Sequence, residues 1–593
     1  MLKRGLRYVD ELSGAVRSQL ALAYRAKDLI AYGLRGTLRE HYTRADFRAD
    51  LRASLTTGAV AFPLCLALAI ACGVSPQHGL YSAIIAGTLT ALLGGTRTQI
   101  TGPTAAFVVI LLPIVHQHGL PGLLVAGGMA GIILAGMGLA RFGRFLQLIP
   151  HPVTAGLTAG IALALAVYQL PAILGIRVPT SETLVGTVQS LWAARGGVQL
   201  ADVAVAVAAI AILMTLPRVA GRWPAPLVAI VVIAVGVVIV HRFVPGFSVA
   251  TIGSRFTWRS GGQDIAGFPP LPPLPVIPWR QGAGLALDYH TIRELLPSAF
   301  AIAMLGSIES LNTAIVAEGM SGKPHDPNSE LIALGIANVV TPFFGGIAAT
   351  GALARTTRNI RAGARSPIAA VLQCVLLLAG MLALAPLVAY VPLAALAGLL
   401  VVVAYNLSEG RHFLRLARIA PRSDVTVMLT CFTLTVVFDM VIAVTVGIVL
   451  AALLFMRRMA VLTRATLRTE TEGHHAVPEG VRVYELAGPL FFGAAKTAME
   501  ALHTAGGTDH TVILAMQHVP TIDATGLVAV ESTLDRLYRS KIRVILAGVT
   551  PEVAEIFERA GIKREPGRLA YAPDVDTAIA MAGVGADREL QAA

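Results

Sequence analysis

The sequence predicts an α-helical polytopic membrane protein that ends in a small α/β domain, and three observations carry that expectation. Of the 593 residues, 55% are hydrophobic and 14% are charged, where a soluble chain carries about 25% charged residues. The apolar residues come in repeated blocks of about twenty, the length that crosses a bilayer as a helix. From residue 478 the pattern changes to short β-rich runs alternating with helical stretches. The net charge of +12 does not point to nucleic acid. The arginines fall in short segments between apolar blocks, as in chains whose basic loops stay on the cytoplasmic side of a membrane.

Residues 1–50 form a basic, mixed-charge arm without the compact apolar core and small-residue cleavage site of a signal peptide. Two readings stay open for it: amphipathic helices whose arginines meet anionic lipid, or a solvated cytoplasmic arm. Residues 51–244 contain seven apolar blocks, from "ASLTTGAVAFPLCLALAIACG" to "PLVAIVVIAVGVVIV". The linker 245–290 includes "GFPPLPPLPVIP", too rich in proline for a helix. Residues 291–458 divide again into seven blocks, those near 350 and 391 being short. With fourteen crossings and both ends cytoplasmic, the basic clusters at Arg141/Arg144, Arg218/Arg222, Lys323, Arg358/Arg361/Arg365, Arg411/Arg415/Arg418/Arg422 and Arg457/Arg458 all fall inside. A multi-pass protein of a plasma membrane is expected, the inner membrane of a bacterium first.

An odd number of helices per half inverts the halves, the arrangement of alternating-access transporters. Two segments read as broken helices, "TQITGPTAAFVVI" (98–110) and "FFGGIAATGALARTTRNI" (343–360), at the third and tenth positions. Helices starting near mid-membrane would present unpaired N–H groups and positive dipole ends to one shared space, which favours an anion. A packing kink explains either glycine-rich break alone; the matched pair is what argues for a site. A second linker, 459–477, leads to the α/β domain at 478–583. There "VRVYELAG", "TVILAMQ" and "KIRVILAGV" read as strands, and "GAAKTAMEALHTA", "TGLVAVESTLDRLY" and "PEVAEIFERAGI" as helices. Cys65, Cys72, Cys374 and Cys431 fall inside apolar blocks and read as packing residues. Nothing in the sequence suggests a cofactor, a metal cluster, a catalytic triad or a phosphate loop, so an enzyme is not expected.

With these motifs in order, the chain resembles the SulP family, called solute carrier family 26 in animals, over about residues 50–580. The carriers of the resemblance are "DLRASLTTGAVAFPLCLALAIACGVSPQHGLYSAIIAG", "ITGPTAA" (100–106), "ATGALARTTRNIRAGARSP" (349–367) and a STAS-like end with "TIDATG" (521–526). The resemblance implies a seven-plus-seven inverted repeat, an architecture shared with nucleobase permeases. It implies a mobile core, a scaffold (gate) domain, and a homodimer. Transport of sulfate, bicarbonate, chloride, oxalate or dicarboxylates is implied too. By position, Thr104 and Ala105 would line one side of the anion site and Gly351, Ala352 and Leu353 the other. Phe62 and Pro63 would close it, and Arg355 would add positive potential or anchor the helix at the cytoplasmic face. Family members often carry Gln after the proline of the first helix; here that residue is Leu64.

Glu309 lies midway along the eighth block, where a charge costs at least about 2.5 kcal/mol on insertion scales. Asn312 and Thr313 follow at helical spacing and are read onto the same face. Sodium-coupled bicarbonate relatives carry Asp and Thr at the positions of Glu309 and Leu353. Leu353 has no side-chain oxygen to offer a cation, while desolvation favours the protonated form of a lone carboxyl, so a proton is the expected coupling ion ahead of sodium. A permanently protonated, purely structural Glu309 is the plain alternative. Co-transported protons would offset the penalty of about 2.3 kcal/mol per charge per 100 mV that opposes anion uptake. Regulatory STAS relatives carry a phosphorylated Ser at the position of Thr525, although Asp523 and Thr525 read first as helix caps. An uncoupled anion exchanger or channel on the same scaffold, or a signalling role through a cytoplasmic partner of STAS, is the rival function.

Overall fold

The computed structural model describes residues 30–146, 149–176, 184–220, 223–244, 247–260, 263–282, 284–438, 440–462, 464–468, 477–491 and 510–590. The chain divides into two compact units, Met1–Ile448 and Val449–Ala593, which are taken separately.

The first half begins with α1 (Tyr32–Arg39) and α2 (Arg44–Ala71). A capping box starts α2: the Thr43 hydroxyl accepts from Asp46 N, and the Asp46 carboxylate accepts from Thr43 N. Then come α3 (Gln77–Leu93), β1 (Thr101–Gly102) and α4 (Ala105–Leu139). Gly119, at φ 65°, folds α4 into two limbs by adopting a conformation closed to most residues. After α5 (His151–Leu174), α6 (Leu200–Val219) and α7 (Ala225–Phe243), a hairpin of β2 (Thr257–Ser260) and β3 (Gln263–Ala266) occupies the connection.

The second half runs through α8 (Tyr289–Ser321), α9 (Pro327–Val340), β4 (Thr350–Gly351), α10 (Leu353–Arg361), α11 (Ile368–Val388), α12 (Leu393–Ser408), α13 (Gly410–Ile419), α14 (Arg422–Val437) and α15 (Met440–Leu462). Asp288 caps α8 through Thr291 N, and Asp326 caps α9 through Ser329 N. With α4 counted as two limbs, and the short α1, α13 and the helices Gly143–Leu146 and Leu184–Ala193 set aside, the order is seven segments on each side of the 245–288 connection. Among the described residues, eight stretches are long and apolar enough to cross a membrane alone, one of them being α12 taken together with α13 (Leu393–Ile419). The 9-residue α10 is not; at about 1.5 Å per residue it covers less than half of a bilayer core.

Two groups of helices build this unit. α2, α3, α4, α8, α9 and α11 pack on one another, whereas α5 packs on α12 and α14, and α6 packs on α12 and α7. The four cysteines are buried and unpaired.

Two elements lie across limits read from sequence, and the connection between the halves is held to its neighbours. α2 starts inside the arm assigned to 1–50. The proline-rich connection is strapped to its neighbours, Ile252 N donating to Val391 O at 2.9 Å, Leu393 N to Ala250 O at 2.8 Å and Val276 N to Phe343 O at 2.7 Å. β5 (Arg464–Arg468) falls inside the linker assigned to 459–477 and pairs antiparallel with β6 (Val481–Ala487). Short charged edge strands carry little periodicity, which is why this one reads as linker.

In the second unit the sheet order is β5-β6-β7-β8-β9, with β7 (Thr511–His518), β8 (Arg543–Ala547) and β9 (Leu569–Ala572) joined in parallel. Central β7 is buried from Thr511 to Met516, as a strand covered on both faces must be. α16 (Ala524–Arg539) and α17 (Pro551–Arg559) cover one face with Val530, Leu534, Leu537, Val553 and Phe557. α18 (Val575–Leu590) covers the other with Ala578, Ile579 and Ala582. The helix read at 493–505 lies outside the described residues.

Candidate functional site

The two broken segments meet. β1 and β4 pair antiparallel, Thr101 opposite Gly351 and Gly102 opposite Thr350, so the helices that follow them leave the crossing in opposite directions. α4 starts at N-cap Thr104 and α10 at N-cap Ala352, and neither start carries a side-chain cap. The first N–H groups of two helices are therefore left for another partner, the arrangement that binds anions.

Thr104 does not cap because its hydroxyl is committed elsewhere: it donates to Glu309 Oε2 at 3.0 Å. One bond thus joins the start of a half-helix to the acid of α8. One turn on, the buried Thr313 hydroxyl donates to Gly351 O at 3.4 Å. Glu309 and Thr313 face the crossing, whereas Asn312 is exposed. The shared face read from sequence narrows to the pair four residues apart, since Asn312 sits about 100° around the helix from Thr313.

Arg355 is 3% exposed and folds back into the crossing. Its Nη2 donates to Pro103 O at 2.5 Å, and its Nη1 lies 3.7 Å from Cys65 Sγ. Its Nε is buried without a partner, and no carboxylate pairs with it among the described residues. A Cβ on Gly102 would come within 2.9 Å of its guanidinium, so glycine is what lets the cation settle there. This is a buried charge without a counter-charge among the described residues. Phe62 and Pro63 are buried on α2, and Ala105 and Ala352 are buried at the helix starts. Leu353, in the first turn of α10, is 42% exposed.

Sequence reading missed a second acid. Glu330 of α9 is 1% exposed. Its Oε2 accepts from Gly95 N at 3.0 Å, Thr96 N at 3.1 Å and the Thr96 hydroxyl at 3.0 Å. Its Oε1 accepts from Gln99 Nε2 at 2.9 Å and from the Ser310 hydroxyl at 3.4 Å. The Gln99 amide also donates to Ser310 at 2.7 Å and would stand 2.3 Å from a Cβ on Gly351. Glu330 therefore holds the 95–99 segment, the lead-in to the first half-helix, against α8 and α9. Its signal was present in "PNSELIALGIANVV", a lone acid in an apolar helix.

Asp50 at the start of α2 does the same for the second half-helix. It accepts from Arg365 N at 2.7 Å, from Ser366 N and its hydroxyl, and from the Tyr42 hydroxyl at 2.8 Å. Outside the helices, Glu40 binds Arg97 through both oxygens, at 2.7 and 2.9 Å, and Lys323 at 2.9 Å. Arg97 first and Lys323 second pull its carboxyl down to about 2.

In the second unit, Asp523 caps α16, its Oδ1 accepting from Gly526 N at 2.7 Å. Thr525 is exposed in the first turn.

Residues 47–431 match the sequence profile of the sulfate permease family, and residues 474–578 match that of the STAS domain. The putative sulfate transporter YvdB of Bacillus subtilis is 36% identical over 89% of this chain and 97% of its own length. The bicarbonate transporter BicA of a Picosynechococcus strain is 28% identical over 88% of this chain and 92% of its own. Among solved structures, that of SLC26A9 superposes with a TM-score of 0.80 at 18% identity, covering 98% of this chain and 96% of that one. The transmembrane domain of a cyanobacterial BicA gives 0.58 at 27% identity, over 69% of this chain and 98% of that one.

Proposed function

The chain belongs to the sulfate permease family, and from that premise we propose that it is a secondary active transporter for a small oxyanion, driven by protons through Glu309. The observation that carries this reading is the Thr104–Glu309 hydrogen bond beside two uncapped helix starts and an unpaired buried Arg355. An anion at the crossing supplies the missing negative charge. While Glu309 is ionised, the Thr104 hydroxyl must point its proton at the carboxylate. Once protonated, Glu309 becomes a donor to Thr104 Oγ, and the hydroxyl is released to donate to the anion. Proton and anion therefore load together.

Transport then follows by elevator-type alternating access. The group α2–α4 with α8–α11 carries the site across the group built on α5–α7, α12 and α14. Sulfate or bicarbonate is the proposed substrate class, dicarboxylates ranking next, in keeping with the names of the two relatives. We place the chain as a homodimer in a bacterial inner membrane with both termini cytoplasmic, its STAS domain free to bind a partner there. Sodium coupling is the competing reading, weakened because Leu353 offers no side-chain oxygen.

Uptake of labelled sulfate, bicarbonate and succinate into proteoliposomes, under imposed pH and sodium gradients, tests both. The account expects accumulation of one of these anions with an inward proton gradient and none with sodium alone. Accumulation that follows sodium and ignores pH overturns it.

A further inference from the structure

The least absorbed feature of the first unit is α13, Gly410–Ile419, between α12 and α14. Glu409 adopts φ 42°, ψ 40°, a left-handed conformation unusual for a residue with a side chain. It ends α12 there, and the ten residues that follow form a separate helix, GRHFLRLARI. At ten residues with three arginines, α13 is too short and too basic to cross a bilayer by itself, and a helix of this kind lies at the bilayer surface.

Its faces are divided. Phe413 is half-buried against Phe432 of α14, ring centroids 5.7 Å apart, and His412 meets His151 at the start of α5 at 5.6 Å. Arg411, Arg415 and Arg418 recur at i, i+4 and i+7 on the outer side. All three are exposed, as is Arg422 in the first turn of α14. None of the four pairs with a carboxylate among the described residues, although Glu409 and Asp424 are close in sequence. Leu414 and Ile419 flank the stripe at 57% and 66% exposure. A solvated helix would gain nothing from those two side chains. A helix in the headgroup layer buries them in acyl chains and turns its guanidinium forks to phosphate.

We propose that α13 binds the headgroups of anionic phospholipids in the adjoining leaflet, through Arg411, Arg415 and Arg418. Because it packs on α5 and α14, it fastens to the lipid surface the helix group that does not carry the anion site. The inference stands apart from the coupling mechanism.

Hydrogen–deuterium exchange on the full chain, in nanodiscs of phosphatidylcholine alone and with phosphatidylglycerol added, tests it. Each arginine at an anionic surface is worth about fivefold in binding. Amides 411–419 are therefore expected to exchange more slowly with phosphatidylglycerol, in a salt-sensitive way, and R411Q/R415Q/R418Q is expected to abolish the difference. R411K/R415K/R418K should keep part of it, since charge survives without the fork. Equal protection in both nanodiscs overturns the proposal, and so does protection that persists in the glutamine variant, which would mean that protein covers this helix.

Discussion

Two acids lie in neighbouring helices of one unit and are treated in opposite ways. Glu330 accepts five hydrogen bonds, from two backbone amides, two hydroxyls and an amide side chain. Glu309 accepts one among the described residues, from Thr104, and is only half-buried. Every contact of Glu330 is a donor, so the ionised carboxylate satisfies them all and a proton would displace one of them. At Glu309 a proton displaces nothing, because the single hydroxyl can reverse its role. On the proposed reading, a carboxylate whose donors are many and fixed is an anchor, and one whose donors are few and rotatable is the proton carrier. An apolar setting alone does not tell the two apart.

The contrast breaks most visibly at the anchor. Glu330→Ala leaves buried donors without their acceptor, at about 1–3 kcal/mol for each one left unsatisfied, read as a large fall in melting temperature in detergent. An unchanged melt would mean that the 95–99 segment holds itself. Next comes Arg355, the buried cation without a carboxylate partner among the described residues. Arg355→Gln should weaken anion binding about a hundredfold with little change in melting, and Arg355→Lys should recover part, since the ammonium lacks the planar fork. Equal binding by all three would place the anion elsewhere.

Thr104 separates carrier from anchor. Thr104→Val should slow coupled uptake about tenfold, the worth of one hydrogen bond to a charged group, while Thr104→Ser stays near wild type. The smallest effect belongs to exposed Glu40. Its carboxyl is held at about 2, against 4.5 unperturbed, so its contribution is complete above pH 4.5 and is lost as pH falls through about 2. Glu40→Gln should lower the melting temperature slightly at neutral pH, with the difference closing at the acid end of that window. A difference that grows on acidification contradicts the assignment.

The seven-plus-seven order and the STAS domain were legible because apolar blocks and β-rich runs are local patterns. The paired half-helices were legible for the same reason, each announced by glycine before a short helix. What stayed hidden depends on contacts between residues far apart in the chain. Glu330 announces an acid in an apolar helix as plainly as Glu309 does. That it is the anchor follows only from Gly95, Thr96 and Gln99, more than 230 positions away. Asn312 shows the limit of helical spacing, because i+3 and i+4 neighbours diverge enough for one to reach the crossing and the other not. β5 was lost to the linker since an edge strand of five residues has almost no period to read.

The most direct test of the carrier is Glu309→Gln, which preserves size and removes the titrating group. In proteoliposomes the account predicts that the variant still binds and exchanges labelled anion but no longer concentrates it along an imposed pH gradient. Undiminished pH-driven accumulation by Glu309→Gln would contradict it.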